Sequence, residues 1–210
     1  MTNQDILFWN VDTQVDFMEP DGKLYAPGAE SIKPVLDKLT QIAKTNGIRV
    51  INTADHHYKG SKELSDKPDF ITTFPEHCMA DSLGADFIRE TQPQAPFSDI
   101  QWNKAYLPEE LVELTQTRNI IIRKDAFDVF EGNPHTEKIL KLLSPKKIYV
   151  YGVTTNVCVH CAVTGLAKRD IEVIVIEDAI KELPKIPLPF GEWDKLGVKR
   201  IKSNEIGLPV

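Results

Sequence analysis

Two of the three cysteines in this chain, Cys158 and Cys161, lie three positions apart in the segment 149–161, which reads YVYGVTTNVCVHC. A C-x-x-C pair can be a redox dithiol, half of a structural zinc site, two buried core residues, or one nucleophile beside a packing residue. No second C-x-x-C or H-x-x-H pair is present to complete four zinc ligands, and the residues between the cysteines are not those of a thioredoxin-type dithiol. We assign Cys161 to packing, because it lies inside a predicted helix beside Ala162 and free cysteine is often buried.

Cys158 differs from Cys161 because it lies in the first turn of that helix, directly after the tight bend GVTTN. Unpaired backbone N–H groups and the helix dipole favour an anion there, so this placement is expected to lower the pKa of the thiol. A thiolate that attacks an amide also needs an acid–base partner and a nearby cation. Asp12 and Lys124, each at the end of a predicted strand, are the candidates for these roles.

A second set of residues has the chemistry of metal ligands. In NTADHHYKG, alternate side chains of an extended segment point the same way, so Asp55 and His57 share a face while His56 points away. His77 in TFPEHCM could complete the set, and mixed carboxylate and imidazole ligands suit zinc, iron or manganese. A single loop histidine is more often merely solvated, so the metal interpretation depends on the three residues together.

The elements that would position these side chains alternate between apolar runs and helical patterns, as in a parallel sheet with crossover helices. The pattern predicts strands at 6–12, 48–55, 119–124, 146–153, 171–178 and 198–203, and helices at 30–47, 107–116, 133–144 and 157–169. Asn133 is the expected N-cap of the third of these helices, with Pro134 at its first position. The stretch up to about residue 106 is expected to be irregular apart from a short helix around 84–91.

We therefore predict one domain over residues 1–210, a three-layer α/β/α fold of Rossmann-like topology with a mostly parallel sheet of about six strands. Such sheets bind ligands at the carboxyl ends of their strands. Asp12, Asp55, Lys124 and the turn before Cys158 all follow predicted strands, so an acid, a lysine and a thiol are expected to meet in one crevice.

Composition restricts the partners. The net charge is −6 with Lys and Arg scattered along the chain, which argues against nucleic acid or an anionic membrane as the main partner. No signal peptide or apolar run of membrane-spanning length is recognisable, and an odd number of cysteines fits no disulfide framework. We expect a soluble cytoplasmic protein that acts on a small molecule.

Three motifs in order resemble one family over residues 6 to 205. FWNVDTQVDF looks like the opening motif of the isochorismatase-like cysteine hydrolases, the superfamily that includes nicotinamidases; IRK resembles their catalytic-lysine strand and GVTTNVCV their nucleophile turn. The resemblance implies the isochorismatase-like fold and a catalytic triad of Asp12, Lys124 and Cys158. It also implies a cis peptide between Val153 and Thr154, with the backbone N–H groups of Thr154 and Cys158 forming an oxyanion hole.

Nicotinamidases in particular share the D-x-H after the second strand and a histidine in an F/W-P-x-H-C segment. This resemblance implies a divalent metal ion, zinc first with iron or manganese as alternatives, held by Asp55, His57 and His77. Many nicotinamidases use a further histidine just beyond D-x-H; this chain has none, and we assign Glu63 of GSKEL in its place.

Two aromatic residues and one departure from the nicotinamidase pattern bear on the choice of substrate. Phe17 and Phe74 match positions that flank a flat ring in the family, although both also fit ordinary core packing. Phe74 stands where nicotinamidases often have tryptophan, and Asn156 replaces an aspartate common among them, which favours other branches.

The function implied is that of a cysteine-dependent amidohydrolase that cleaves a small carboxamide through a thioester and releases ammonia, with nicotinamide as the first substrate. The alternative within the family is another small amide or a ureido compound. Outside it, a non-catalytic binding protein on the same fold and a thiol redox protein using Cys158 and Cys161 stay open. Relatives are often dimers or tetramers, so a homo-oligomer is expected.

Overall fold

The apolar runs form one parallel sheet. The computed structural model describes residues 5–209, and every strand pair in its seven-stranded sheet is parallel. The strands are β1 (Ile6–Val11), β2 (Arg49–Asp55), β3 (Phe97–Ile100), β4 (Asn119–Lys124), β5 (Lys147–Val153), β6 (Glu172–Lys181) and β7 (Lys199–Ile201). Their order across the sheet is β3-β4-β2-β1-β5-β6-β7. The predicted α/β class with a parallel sheet of about six strands is confirmed.

Helices connect the strands. They are α1 (Val15–Met18), α2 (Lys33–Thr45), α3 (Pro108–Leu114), α4 (Val129–Gly132), α5 (Thr136–Leu143), α6 (Cys158–Ala167) and α7 (Phe190–Lys195). Helix α2 buries Leu36, Leu39, Ile42 and Ala43, the apolar stripe that its sequence predicts. No helix among residues 5–209 combines the length and the apolar character needed to cross a membrane.

Three local predictions are wrong. The helix expected around 84–91 is only a 3₁₀ turn at Leu83–Ala85, and the same irregular stretch contains β3, whose four residues FSDI are too short and too polar to predict a strand. The helix expected from 133 begins at Thr136, because Asn133 donates its side-chain N–H groups to Ile100 O and Arg123 O. Helix α7 was not predicted from the sequence.

The chain order reverses at the centre of the sheet. The strands that follow β1 lie on one side of it as far as β4, whereas β5, β6 and β7 lie on the other. A crevice therefore opens between the carboxyl ends of β1 and β5, where sheets of this kind bind ligands. Gly152 permits the two strands to approach there: its φ is +117°, and a Cβ atom would lie 2.1 Å from the carbonyl oxygen of Val11.

Candidate active site

The structure brings the three predicted catalytic residues together at this crevice. Asp12 follows β1 with a φ of +46°, and its fully buried carboxylate accepts a hydrogen bond of 2.6 Å from Thr53 Oγ1. Lys124, the last residue of β4, places its Nζ 3.0 Å from Asp12 Oδ2 and 3.8 Å from Cys158 Sγ. The same Nζ donates to Asp55 Oδ1 at the end of β2. One ammonium group therefore contacts two carboxylates and a thiol.

Burial and close charges set the protonation of this cluster. Burial lowers the pKa of Lys124, but Asp12 and Asp55 outweigh it and hold the pKa well above its ordinary value, so the amine is charged. Burial raises the pKa of Asp12, and Lys124 only partly opposes it. Burial acts in the same sense on Asp55, yet Lys124 with the two histidines reverses the effect and leaves its pKa well below the ordinary value. Asp12 is thus the carboxylate better suited to accept a proton.

The thiol of Cys158 is in a different state from the one that its position in the sequence predicts. Cys158 begins α6, but only 5% of the residue is exposed. Burial raises the pKa of the thiol well above its usual range, Asp12 and Asp55 add to the rise, and Lys124 opposes it. The expectation of a lowered pKa is wrong for this closed site, because removal from water outweighs the favourable position at a helix N-terminus. The thiol needs a base that takes its proton.

The turn before α6 has the predicted backbone geometry. The peptide between Val153 and Thr154 is cis, which confirms the expectation drawn from the resemblance. Thr154 O accepts hydrogen bonds from the N–H groups of Val157 and Val159. Within residues 5–209, the N–H groups of Thr154 and Cys158 donate to no backbone acceptor, so both are available to a developing oxyanion.

Asp55, His57 and His77 converge beside the triad. One potential ligand atom from each lies within 4.8 Å of the others. Asp55 Oδ2 lies 3.8 Å from His57 Nε2 and 3.7 Å from His77 Nε2, and the two imidazole rings meet edge to face at 4.9 Å between centroids. His56, as predicted, is not a member of this group.

The Nδ1 atom of each histidine already has a hydrogen-bond partner in the protein. His57 Nδ1 lies 2.7 Å from Asp125 Oδ1, and His77 Nδ1 lies 2.8 Å from Pro75 O, so each Nε2 faces the other ligands. Asp55 Oδ2 and His57 Nε2 are buried without a hydrogen-bond partner. Buried polar atoms are rarely left unpaired, and a histidine ligand to a metal usually donates its other N–H to a carboxylate or carbonyl. The site therefore fits a divalent transition metal.

Glu63 lies close to this group but does not converge with it. Its Oε1 accepts a 2.5 Å hydrogen bond from Phe127 N–H, while Oε2 is buried without a partner. Burial raises the pKa of Glu63 to about 7, and the negative charge of Asp55 adds to the rise against the opposing effect of Lys124. Its carboxylate is not among the ligand atoms within 4.8 Å of one another. Glu63 as a ligand stays a prediction that requires its side chain to move.

The two predicted ring-binding residues both contact His77. Phe17 meets the imidazole edge to face at 5.3 Å, and Phe74 does so at 6.4 Å. Both phenylalanines are buried. Cys161 lies half-buried on α6 as a free thiol, and burial raises its pKa to about 11.

Two residues of the opening motif have roles that sequence reasoning missed. Gln14 donates to Asp55 O at 2.8 Å and accepts from Asp55 N–H at 2.7 Å. Asp16 accepts from Lys23 N–H at 3.0 Å and from Cys78 N–H at 2.7 Å, directly after His77. The spacing D-x-Q-x-D was the available signal, because it places three polar side chains directly after the strand β1.

A family model described as the isochorismatase domain matches residues 7–187. A Mycobacterium tuberculosis (strain ATCC 25618 / H37Rv) protein named nicotinamidase/pyrazinamidase is 32% identical over 77 residues, 37% of this chain and 40% of that protein, so the match spans less than half of its length.

Two solved structures cover nearly the whole chain. N-carbamoylsarcosine amidase from Thermoplasma acidophilum superposes with a TM-score of 0.73 at 20% identity, and the match covers 99% of this chain and 99% of that one. Pyrazinamidase of Pyrococcus horikoshii, solved in complex with zinc, has a TM-score of 0.71 at 25% identity, over 94% of this chain and 99% of that one.

Proposed function

This chain belongs to the isochorismatase family, and from that premise we propose that it is a cysteine hydrolase that cleaves a small carboxamide and releases ammonia. The observation that carries the proposal is the position of Lys124, whose Nζ lies 3.0 Å from Asp12 Oδ2 and 3.8 Å from Cys158 Sγ. A buried amine between a carboxylate and a thiol can stabilise a thiolate when the proton moves to the carboxylate. We propose nicotinamide as the substrate and nicotinate as the product.

In the first half of the reaction, Asp12 accepts the proton of Cys158 and Lys124 stabilises the thiolate. An oxygen of Asp12 and the sulfur of Cys158 lie within 4.8 Å of each other. The thiolate attacks the carboxamide carbon, and the Thr154 and Cys158 N–H groups stabilise the oxyanion. The C–N bond then breaks, Asp12 returns the proton to the leaving nitrogen, and ammonia departs from a thioester.

In the second half, Asp12 removes a proton from a water molecule that attacks the thioester. The C–S bond breaks, the acid product leaves, and the proton on Asp12 restores the Cys158 thiol. The raised pKa of Asp12 suits both steps, because a carboxyl that holds a proton more readily is a better base and still a usable acid.

We propose zinc as the metal, which is supported by the zinc complex of the Pyrococcus horikoshii pyrazinamidase. Asp55, His57 and His77 would hold the ion, which when bound supplies a Lewis-acidic position for a ring nitrogen of the substrate. Phe17 and Phe74 each contact His77 edge to face and would contact the flat ring. A cytoplasmic location and a homo-oligomer stay predictions.

Ammonia release tests the proposal. Purified protein with one equivalent of zinc is expected to hydrolyse nicotinamide, whereas benzamide, which has the same shape without the ring nitrogen, should be at least tenfold slower in kcat/KM. Similar rates for the two would show that no metal contacts the ring. Hydrolysis of a ureido or aliphatic amide, with nicotinamide untouched, would keep the reaction and replace the substrate.

A further inference from the structure

A cavity of about 340 Å³ lies next to the proposed catalytic centre. We name it the outer cavity. Its walls include Leu24, Tyr25, Phe70, Phe74 and the segment 183–186. The mechanism above makes no use of this space. Its volume is at the lower end of the range for small-molecule sites in proteins.

The outer cavity shares two boundaries with the catalytic centre. On one side, the Phe74 ring lines the cavity and also meets the His77 imidazole at 6.4 Å. On the other side, Leu183 is hydrogen-bonded to Asn156, which lies two positions before Cys158. The cavity is therefore adjacent to both the metal set and the nucleophile turn.

Asn156 fixes the position of the 183–186 wall. Its Nδ2 donates to Leu183 O and to Ile186 O, both at 2.8 Å, and its Oδ1 accepts from Leu183 N–H at 3.0 Å. Asn156 is 6% exposed, so these bonds are not exchanged freely with water. An aspartate would place an oxygen without protons against two carbonyl oxygens, and only the amide side chain satisfies all three partners.

Apart from the exposed Lys185, the polar side chains that line the outer cavity are engaged by other groups of the protein. The Asp69 carboxylate accepts from the backbone N–H groups of the segment 71–73, and Tyr25 OH contacts Glu30 and accepts from Gly28 N–H. What the cavity offers a ligand is mainly the apolar side chains of its walls. Its occupant should be apolar.

We propose that the outer cavity is a subsite for an apolar group carried by the substrate, and that Asn156 is a specificity-determining positioning residue that holds its wall. The inference rests on the proposed function and narrows its substrate class to aromatic carboxamides with an apolar substituent meta to the amide. In such a complex the carboxamide lies at Cys158, the ring lies beside Phe74, and the substituent contacts Leu183 and Ile186. Nicotinamide itself would leave the outer cavity unused.

The test compares nicotinamide with 5-phenylnicotinamide, in which the added ring leaves the pyridine nitrogen and the amide free. Binding is measured by calorimetry on the zinc-loaded Cys158→Ala protein, so that no turnover is required. We expect 5-phenylnicotinamide to bind at least tenfold more tightly. Asn156→Asp and Leu183→Ala, each added to Cys158→Ala, should reduce that gain to less than threefold while the affinity for nicotinamide stays within threefold.

Leu188→Ala is the matched control, because Leu188 is an exposed leucine just beyond the wall and does not line the cavity. It should keep the full gain, and thermal unfolding should show that all variants are folded. Equal affinity for the two compounds, no binding of either, or a gain that survives both wall variants would overturn the subsite. Ammonia release from nicotinamide by the unmodified protein is scored separately, so tight binding without turnover would refute the proposed function alone.

Discussion

Replacement of Asp16 by asparagine should destabilise the segment that carries His77. The Asp16 carboxylate accepts one hydrogen bond of 2.7 Å from the buried Cys78 N–H and another of 3.0 Å from Lys23 N–H. Asparagine keeps one acceptor oxygen, so its NH₂ group must face one of these donors. The carboxylate has no room to turn away, since a Cβ atom on Gly84 would lie only 2.2 Å from Asp16 Oδ2.

The magnitude follows from the two bonds. A hydrogen bond to a charged group contributes about 1.5–3 kcal/mol, and a buried N–H left without a partner costs about 1–3 kcal/mol. We expect Asp16→Asn to lower the free energy of unfolding by about 3 kcal/mol, a large part of the roughly 5–15 kcal/mol typical of a folded domain. Because His77 directly precedes Cys78, zinc affinity should fall about tenfold.

Urea denaturation in the presence of a chelator measures the stability term without any contribution from metal, and a competitive zinc titration measures the affinity. Asp21→Asn is the control, because Asp21 is an exposed carboxylate shortly after Asp16 in the chain. Its substitution should change the free energy of unfolding by about 0.5 kcal/mol at most. If Asp16→Asn unfolds at the same urea concentration as Asp21→Asn, the carboxylate does not hold this segment and the reasoning is refuted.

Three further predictions concern the site itself. Cys158→Ala should abolish ammonia release while Cys161→Ala keeps most of it, and equal loss in two well-folded variants would indicate a working dithiol instead. Asp125→Ala removes the partner of His57 Nδ1, 2.7 Å away, and should weaken zinc binding about 10–100-fold in a competition titration; an unchanged affinity would show that Asp125 does not orient the histidine. Glu63→Gln should retain zinc within threefold, because Oε1 is already bonded to Phe127 N–H, whereas His77→Ala should lose it; loss of zinc from both would make Glu63 a ligand after all.

The sequence predicted the elements whose signal is local. Strands such as β4 (NIIIRK) contain a short apolar run, and the polar residue at the end of each central strand marked the crevice. The cis peptide at Val153 was predicted from the resemblance of one short turn. Strand β3 was not predicted, because its pairing with β4 comes from tertiary context and not from its own four residues.

The pKa shifts at the site were less predictable from the sequence than the identity of the residues that form it. The position of Cys158 at a helix start suggested an acidic thiol, but burial depends on the whole fold and reverses the shift. The contacts of Asn156 with Leu183 and Ile186 join positions 27 and 30 residues apart, so the sequence shows the amide side chain but not its partners.

Asp55 has two oxygens with different neighbours: Oδ1 contacts Lys124, and Oδ2 faces both histidines. Under the proposed roles, the Asp55 carboxylate couples the binding of zinc to the reactivity of the Cys158 sulfur. Linkage is reciprocal for equilibrium binding, so the factor by which zinc changes the affinity of Cys158 for a reversible electrophile is also the factor by which that electrophile changes the affinity for zinc. A compound that captures the thiol would then act on the retention of an ion that it never touches.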